Sequence, residues 1–401
     1  MQIPCSEERH AVGGNGEFWL GKAEELAPSL LEAYRGRVRL IYLDPPFRTG
    51  ESFSMKLGRG RGAASIRLYE DTLTSDEYLA WMRTILTLCH ELLDSKGSIY
   101  LHLDYRMSAK VRLLLDEIFG ESNFLNEIIW PYKTGGRSKK YFPRKHDTIL
   151  FYRKTRNVFF DISAVGIPRG PERRNHMKRF IDEDGRVGFS IRSNGKLYKY
   201  YENSLIYPSD VWSDIEHLQQ KDRERMGYAT QKPEALLKRI IGASSAPGDL
   251  VMDLFSGSGT TAACAVKLNR RFAVVDSSPV AAYMLRKRLL SIAGTMDLFD
   301  QEHSALVLRH PDAETVPCDV SYRIERKGTK RAICIESVSF AGDSLPLVYA
   351  ATGTVSGSAF DAAYTNCTPK LPVRLQLPDS DSPVLHIESA SGKDAFLVLN
   401  E

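Results

Sequence analysis

The stretch GDLVMDLFSGSGTTAACAVKLNRRFAVVDSSPVAAYMLRKRLL (248–290) leaves this chain few folds to choose from. An apolar run enters a turn of small residues, and a helical pattern, a second apolar run and a second helical pattern follow. Two buried strands joined by one helix pair in parallel, because only a crossover of that length returns the chain to the same end of the sheet. The unit therefore predicts an α/β domain with a mostly parallel sheet. Gly257, Gly259 and Ala262 fit G-x-G-x-x-(G/A), with Ser258 and Thr260 in and just after the turn. Small residues there let backbone and helix end approach a nucleotide-like ligand. Asp276 closes the second strand 19 residues after Gly257, placed to accept from ribose hydroxyls. No G-x-x-x-x-G-K-[ST] occurs, which excludes a P-loop nucleotidase. NAD and S-adenosylmethionine both stay open to this motif.

The first 130 residues alternate in the same way. VRLIYLD (38–44) reads as a strand buried on both faces, and the apolar residues from Tyr78 to Leu93 recur at helical spacing behind a Thr74 or Ser75 cap. Gly97 begins a strand, SIYLHLD, and the helix from Met107 to Ile118 closes on Gly120. ESFSMKLGRGRGAASIRLYED (51–71) alternates glycine with Arg59 and Arg61 and predicts a flexible basic loop.

At the end of VRLIYLD stand Asp44, Pro45, Pro46 and Phe47. Two prolines hold a rigid turn whose carbonyls point outward, since neither donates an N–H. The Asp44 carboxylate and Pro45 carbonyl are then two fixed acceptors, suited to an –NH2 group. Accepting both hydrogens draws the nitrogen lone pair out of conjugation and makes it nucleophilic. Phe47 offers a face on which an extruded base can stack, worth about 1–3 kcal/mol. NAD chemistry has no use for this constellation, whereas methylation of an amine does.

Charge is distributed unevenly. The net charge is +4, yet residues 133–200 carry 18 Lys and Arg against 6 Asp and Glu, interleaved with tyrosines. That segment reads as short strands joined by Asp-Gly and Asn-Gly turns, and its composition suits a polyanion. The six cysteines are scattered without ligand spacing, so neither a metal site nor a disulfide framework is expected. That pattern fits a reducing cytoplasm, and no apolar run long enough to span a membrane is present.

In this order of motifs the chain resembles the β-class S-adenosylmethionine-dependent DNA amino-methyltransferases, which act on N6 of adenine or N4 of cytosine. DPPF (44–47) precedes FSGSG (255–259), with the basic region between them. IFGESNFLNEIIWPY (118–132), HDTILFYRK (146–154) and TQKPEALLKRII (230–241) are similar to segments of type III restriction–modification modification subunits and their solitary relatives. The likeness covers roughly residues 15–293.

The resemblance implies a Rossmann-like class I methyltransferase fold, with a twisted seven-stranded sheet and helices on both faces. It implies that Asp44, Pro45, Pro46 and Phe47 hold the base. Asp253, Phe255, Gly257, Ser258, Gly259, Thr260 and Asp276 surround S-adenosylmethionine, and Gln231, Lys232 and Pro233 close its methionine side. Arg59, Arg61, Arg137, Lys139, Lys140, Arg144, Arg173 and Arg174 are the expected contacts to double-stranded DNA. A homodimer and a separate restriction subunit are further partners that the likeness admits. The expected divisions are a catalytic half (1–132), a basic target-recognition region (133–228), a cofactor half (229–295) and a β-rich C-terminal domain (296–401). Asp before Pro-Pro leans toward adenine; N4-cytosine methylation and a catalytically idle DNA-recognition homologue are the alternatives. Lys22 stands where many relatives carry an acid, and Phe47 replaces the commoner tyrosine.

Charge reversal at Lys139 and Lys140 is expected to weaken DNA binding and flatten its dependence on salt, read by titration at several ionic strengths.

Overall fold

The computed structural model describes residues 5–10, 15–48, 52–57, 64–70, 73–133, 138–169, 177–228, 230–293, 306–309, 316–343, 346–367, 371–391 and 393–399. Leu250–Asp253 and Arg271–Asp276 lie side by side in parallel, joined by the helix Thr260–Lys267. Around them runs a sheet in the order Gly16–Leu20, Arg271–Asp276, Leu250–Asp253, Val38–Leu43, Leu93–Leu103, His146–Arg153, Phe124–Pro131. The first five are parallel, and His146–Arg153 runs antiparallel to both its neighbours.

Helices cover both faces. Ala27–Tyr34, Ser75–Leu92 and Ser108–Phe119 pack on one side, burying Leu30, Met82, Ile85 and Leu115. Glu234–Ser244, Thr260–Lys267 and Pro279–Ala293 pack on the other through Leu237, Ile241, Ala263 and Leu285. Thr74 caps the long helix with a capping box, its hydroxyl accepting from the Glu77 N–H at 3.3 Å while Glu77 Oε2 accepts from the Thr74 N–H at 2.9 Å. From Leu250–Asp253 the chain moves to one side of the sheet, and from Val38–Leu43 it moves to the other. Between these two strands the connection order reverses, and the cleft at their carboxyl ends is where such sheets bind ligands.

Three expectations need correction. Among the described residues, the seven strands above are part of a larger sheet of thirteen. Beyond Gly16–Leu20 it continues through Leu306–Arg309, Glu7–His10, Ala359–Asn366, Leu347–Ser356, Val384–Ser389 and Asp394–Val398. The C-terminal region is thus joined edge to edge with the rest, and a three-stranded sheet from Cys318–Lys327, Lys330–Phe340 and Val373–Gln376 accompanies it. The joining strand, Glu7–His10, is short and polar, so nothing in its composition signals a strand. Its Glu8 and His10 are nevertheless buried: Arg286 reaches Glu8 from the last helix before the tail, and His10 bonds Glu8 in turn. Second, the basic loop at 51–71 contains a hairpin, Ser52–Leu57 with Ala64–Glu70; Arg59 and Arg61 lie outside the described residues. Third, the strand expected from Gly97 begins at Leu93, directly at the helix end.

Within residues 177–201 three antiparallel strands form, and the Asn194–Gly195 turn has φ of 48° and 78°, as a tight hairpin demands. No helix among the described residues is long and apolar enough to cross a membrane.

Arg286 is the joint between the tail and the rest. Its guanidinium donates to Glu8 Oε2 at 2.7 and 3.1 Å and also pairs with Glu388, while Tyr349 donates to Glu8 Oε1 at 2.6 Å. Burial works against the Glu8 charge, yet Arg286, His386 and His10 together hold its carboxyl well below the usual range. Arg286→Leu strands two buried acids, so a loss of about 3–5 kcal/mol in urea unfolding is expected.

Candidate active site

Three acids end three neighbouring parallel strands: Asp44 follows Val38–Leu43, Asp253 closes Leu250–Asp253 and Asp276 closes Arg271–Asp276. All three face one cavity of ≈ 430 Å³. Tyr42, Pro46, Tyr78, Trp81, Lys232, Phe255 and Gly257 share its wall. The proline turn and the glycine turn therefore open into the same space.

Each acid is held differently. Asp253 accepts from the Phe255 N–H at 2.9 Å and from the Thr261 hydroxyl. Burial pushes its carboxyl up to about 7, and the nearby Asp44 and Asp276 charges push the same way. Asp276 accepts from the N–H groups of Gly257 at 2.7 Å and Ser278 at 2.8 Å, and burial pushes it up to about 6. Asp276 thus shapes the glycine turn itself besides facing the cavity. Asp44 Oδ2 accepts from the Lys232 ammonium, and its buried Oδ1 has no hydrogen-bond partner among the described residues. An uncompensated buried carboxylate oxygen is costly to a folded chain.

The glycine turn needs its glycines. Gly257 and Gly259 have φ of 50° and 72°, and a Cβ on Gly259 would come within 2.9 Å of Leu285. Beneath the turn, Arg288 donates to Thr260 Oγ1 at 2.9 Å and to Glu234 Oε1 at 3.0 Å. Burial raises Glu234, but Lys267, Arg288 and Lys238 outweigh it and bring its carboxyl to about 2.

Beside Asp44 lies a group of rings. Lys232 Nζ sits 5.2 Å from the Phe47 centroid, and Phe47 faces His102 at 5.8 Å. His102 bonds Tyr42 at 2.9 Å through Nδ1 and Asp147 at 3.2 Å through Nε2. Trp130 stands 5.6 Å from His102 and stacks on His217 at 3.8 Å. Burial drives the His217 imidazole down to about 4, which keeps it neutral near pH 7.

Of the residues expected from sequence, Asp44, Pro46, Lys232, Asp253, Phe255, Gly257, Ser258, Thr260 and Asp276 line the cavity. Pro45 is buried in the turn, and Pro46 offers its carbonyl to the Tyr78 hydroxyl at 2.8 Å. Phe47, Gln231, Pro233 and Gly259 are absent from the wall; Phe47 stands beside it, against His102 and Lys232. Gln231 instead ties down the preceding loop, accepting from the Met226 N–H at 2.8 Å and donating to the Glu224 carbonyl at 2.7 Å, and Pro233 caps a helix. Lys139, Lys140 and Arg144 are exposed, while Arg137, Arg173 and Arg174 lie outside the described residues. Sequence reasoning missed Tyr42, Tyr78, Trp81, His102 and Asp147. In the sequence Tyr78 shows only the spacing of a helix, whereas His102 is the one imidazole inside the apolar run SIYLHLD.

A model of the DNA methylase family (N6/N4 methyltransferases) matches residues 38–287. The type II methyltransferase M.EcaI of Enterobacter cloacae is 30% identical over 331 residues, covering 71% of each chain. The DNA adenine methyltransferase YhdJ of Escherichia coli (strain K12) is 28% identical over 63% of this chain and 76% of its own. The solved PvuII DNA methyltransferase (cytosine-N4-specific) is similar with a TM-score of 0.46 and 16% identity, covering 71% of this chain and 88% of that one. A mostly parallel sheet whose switch point carries an acid-lined cleft defines the chain as a class I methyltransferase in fold. It belongs to the N6/N4 DNA methylase family, the site-specific amino-methyltransferases of restriction–modification type.

Proposed function

We propose that this protein transfers a methyl group from S-adenosylmethionine to N6 of adenine in duplex DNA, with Asp44 holding the amino group. The observation that carries this is the buried, partnerless Asp44 Oδ1 in the cavity that the glycine turn also lines. The cavity suits the cofactor. Five acids line it against two lysines, a field that favours a ligand carrying a sulfonium and an ammonium. Asp276 and the Gly257 turn are the residues to hold the adenosine, and Trp81 and Phe255, 5.5 Å apart, offer it ring faces. When bound, S-adenosylmethionine supplies an electrophilic methyl on a positively charged sulfur.

The chain's own residues then do the following. Asp44 Oδ1 accepts one N–H of the extruded base, which localises the lone pair on the nitrogen. Phe47 stacks under the ring, and His102, fixed by Tyr42 and Asp147, backs Phe47. Lys232 anchors the other carboxylate oxygen, so the acceptor atom cannot rotate away. The proton released on methylation passes to Asp44, its nearest acceptor. Positioning and polarisation of this kind are worth several orders of magnitude in rate. An aspartate rather than a serine before Pro-Pro favours adenine, as does the kinship with an adenine methyltransferase. A restriction enzyme directed at the same sequence is the natural second partner.

Asp44→Ala should lower methyl transfer at least about a thousandfold while cofactor affinity stays within about tenfold. Base-modification sequencing of DNA from cells expressing each form checks this and identifies the base. Normal transfer by the variant would refute the assignment. Separately, Asp253 and Asp276 become neutral as pH falls through about 7 and 6, which removes negative charge from the cavity. Calorimetric affinity for S-adenosylmethionine should therefore weaken from pH 8 to pH 5.5, and Asp276→Asn should reduce that dependence.

A further inference from the structure

Trp130 and Asp147 pair across the last two strands of the seven-strand run, and both border His102 on the wall behind Phe47. One residue further, Pro131 faces His146, and Tyr132 donates its N–H to the Lys145 carbonyl at 3.0 Å. The connection between these two strands therefore springs directly from the wall of the base site. Its described return leg is Ser138–Lys145, with Lys139, Lys140 and Arg144 exposed. Arg144 lies over the Tyr105 ring at 4.0 Å and the Tyr141 ring at 5.0 Å, and donates to the Tyr105 hydroxyl at 2.7 Å. Tyr141 is thereby braced against the body of the protein.

Phe142 is not braced. It is 96% exposed, more than any other large apolar side chain described. Pro143 follows it, and a residue before proline is held to extended backbone, which limits the directions in which its Cα–Cβ bond can point. Phe142 stands three positions before Lys145, a reach of about 10 Å beyond the stem. An apolar ring held in water inside a cationic loop calls for a partner that is anionic outside and apolar within. Stacked bases between phosphate backbones have that chemistry.

We propose that Phe142 is the wedge that enters the duplex when the target base leaves it. Lys139, Lys140 and Arg144 engage the flanking phosphates, and the phenyl ring stacks in the gap. The opened state is thereby stabilised, and the base cannot readily return. The inference rests on the reading of this chain as a DNA amino-methyltransferase, and it adds a residue that touches neither cofactor nor target base.

The test compares Phe142→Ala, Phe142→Leu and the unmodified protein on two duplexes containing the mapped target sequence. In one the target base is paired, and in the other it faces an abasic site, so that little flipping cost remains. Phe142→Ala is expected to lose about 10- to 100-fold in kcat/KM on the paired duplex, a range that one or two factors of ten in the flipping equilibrium produce. On the abasic duplex it should recover to within about threefold of the unmodified protein. Phe142→Leu, still an apolar wedge, should stay near the unmodified protein on both. With 2-aminopurine at the target position, the unmodified protein should brighten the paired duplex and Phe142→Ala should not. An equal loss on both duplexes, or no loss, would overturn the wedge alone. Absence of methyl transfer by the unmodified protein on any duplex would overturn the reading of the site, and the wedge with it.

Discussion

A carboxylate inside a cavity can stay half bare only if something else secures it. Here Lys232 takes one oxygen of Asp44, and the other is buried with no hydrogen-bond partner among the described residues. The remaining arrangement serves that pairing. Lys232 is presented from just before the helix Glu234–Ser244, whose first residue is clamped by Lys267, Lys238 and Arg288. Arg288 also bonds Thr260, so the lysine segment and the glycine turn share one buried cation as their common support. The cleft's two chemical ends are thus braced from beneath by one side chain on the last helix of the domain.

Much of this was legible in the sequence, and for identifiable reasons. The strand–turn–helix unit at 248–290 has few structural solutions, and Asp-Pro-Pro-Phe has few chemical uses, so their appearance in one cavity follows from the order of the motifs. Lys232 was legible as a cleft residue but not as the partner of Asp44, since the two lie 188 positions apart. Gln231 and Pro233 belong to the same resembling segment, but in the structure Gln231 ties down the preceding loop and Pro233 stands at a helix start. His102 and Asp147 were unreadable as a pair because their contact depends on the register between two antiparallel strands. The extent of the sheet was hidden for a different reason. Edge pairing between distant strands leaves no periodic trace when the joining strand has only four residues.

The edge of the sheet that holds the cleft also carries the exposed aromatics and lysines of the 138–145 segment. The tail strands extend the sheet from the end opposite Phe124–Pro131, and Val348 and Ala390 of the tail share a buried cluster with Tyr228 of the cavity wall.

Glu7–His10 lies between Leu306–Arg309 and Ala359–Asn366, with Glu8 sealed among Arg286, Tyr349 and His386. The earliest strand described thus finds its neighbours only after some three hundred further residues have left the ribosome. Until then a short acidic segment must wait in water, and its charges help to keep it there. That strand is closed only when residues 306–309 and 359–366 have arrived on either side of it.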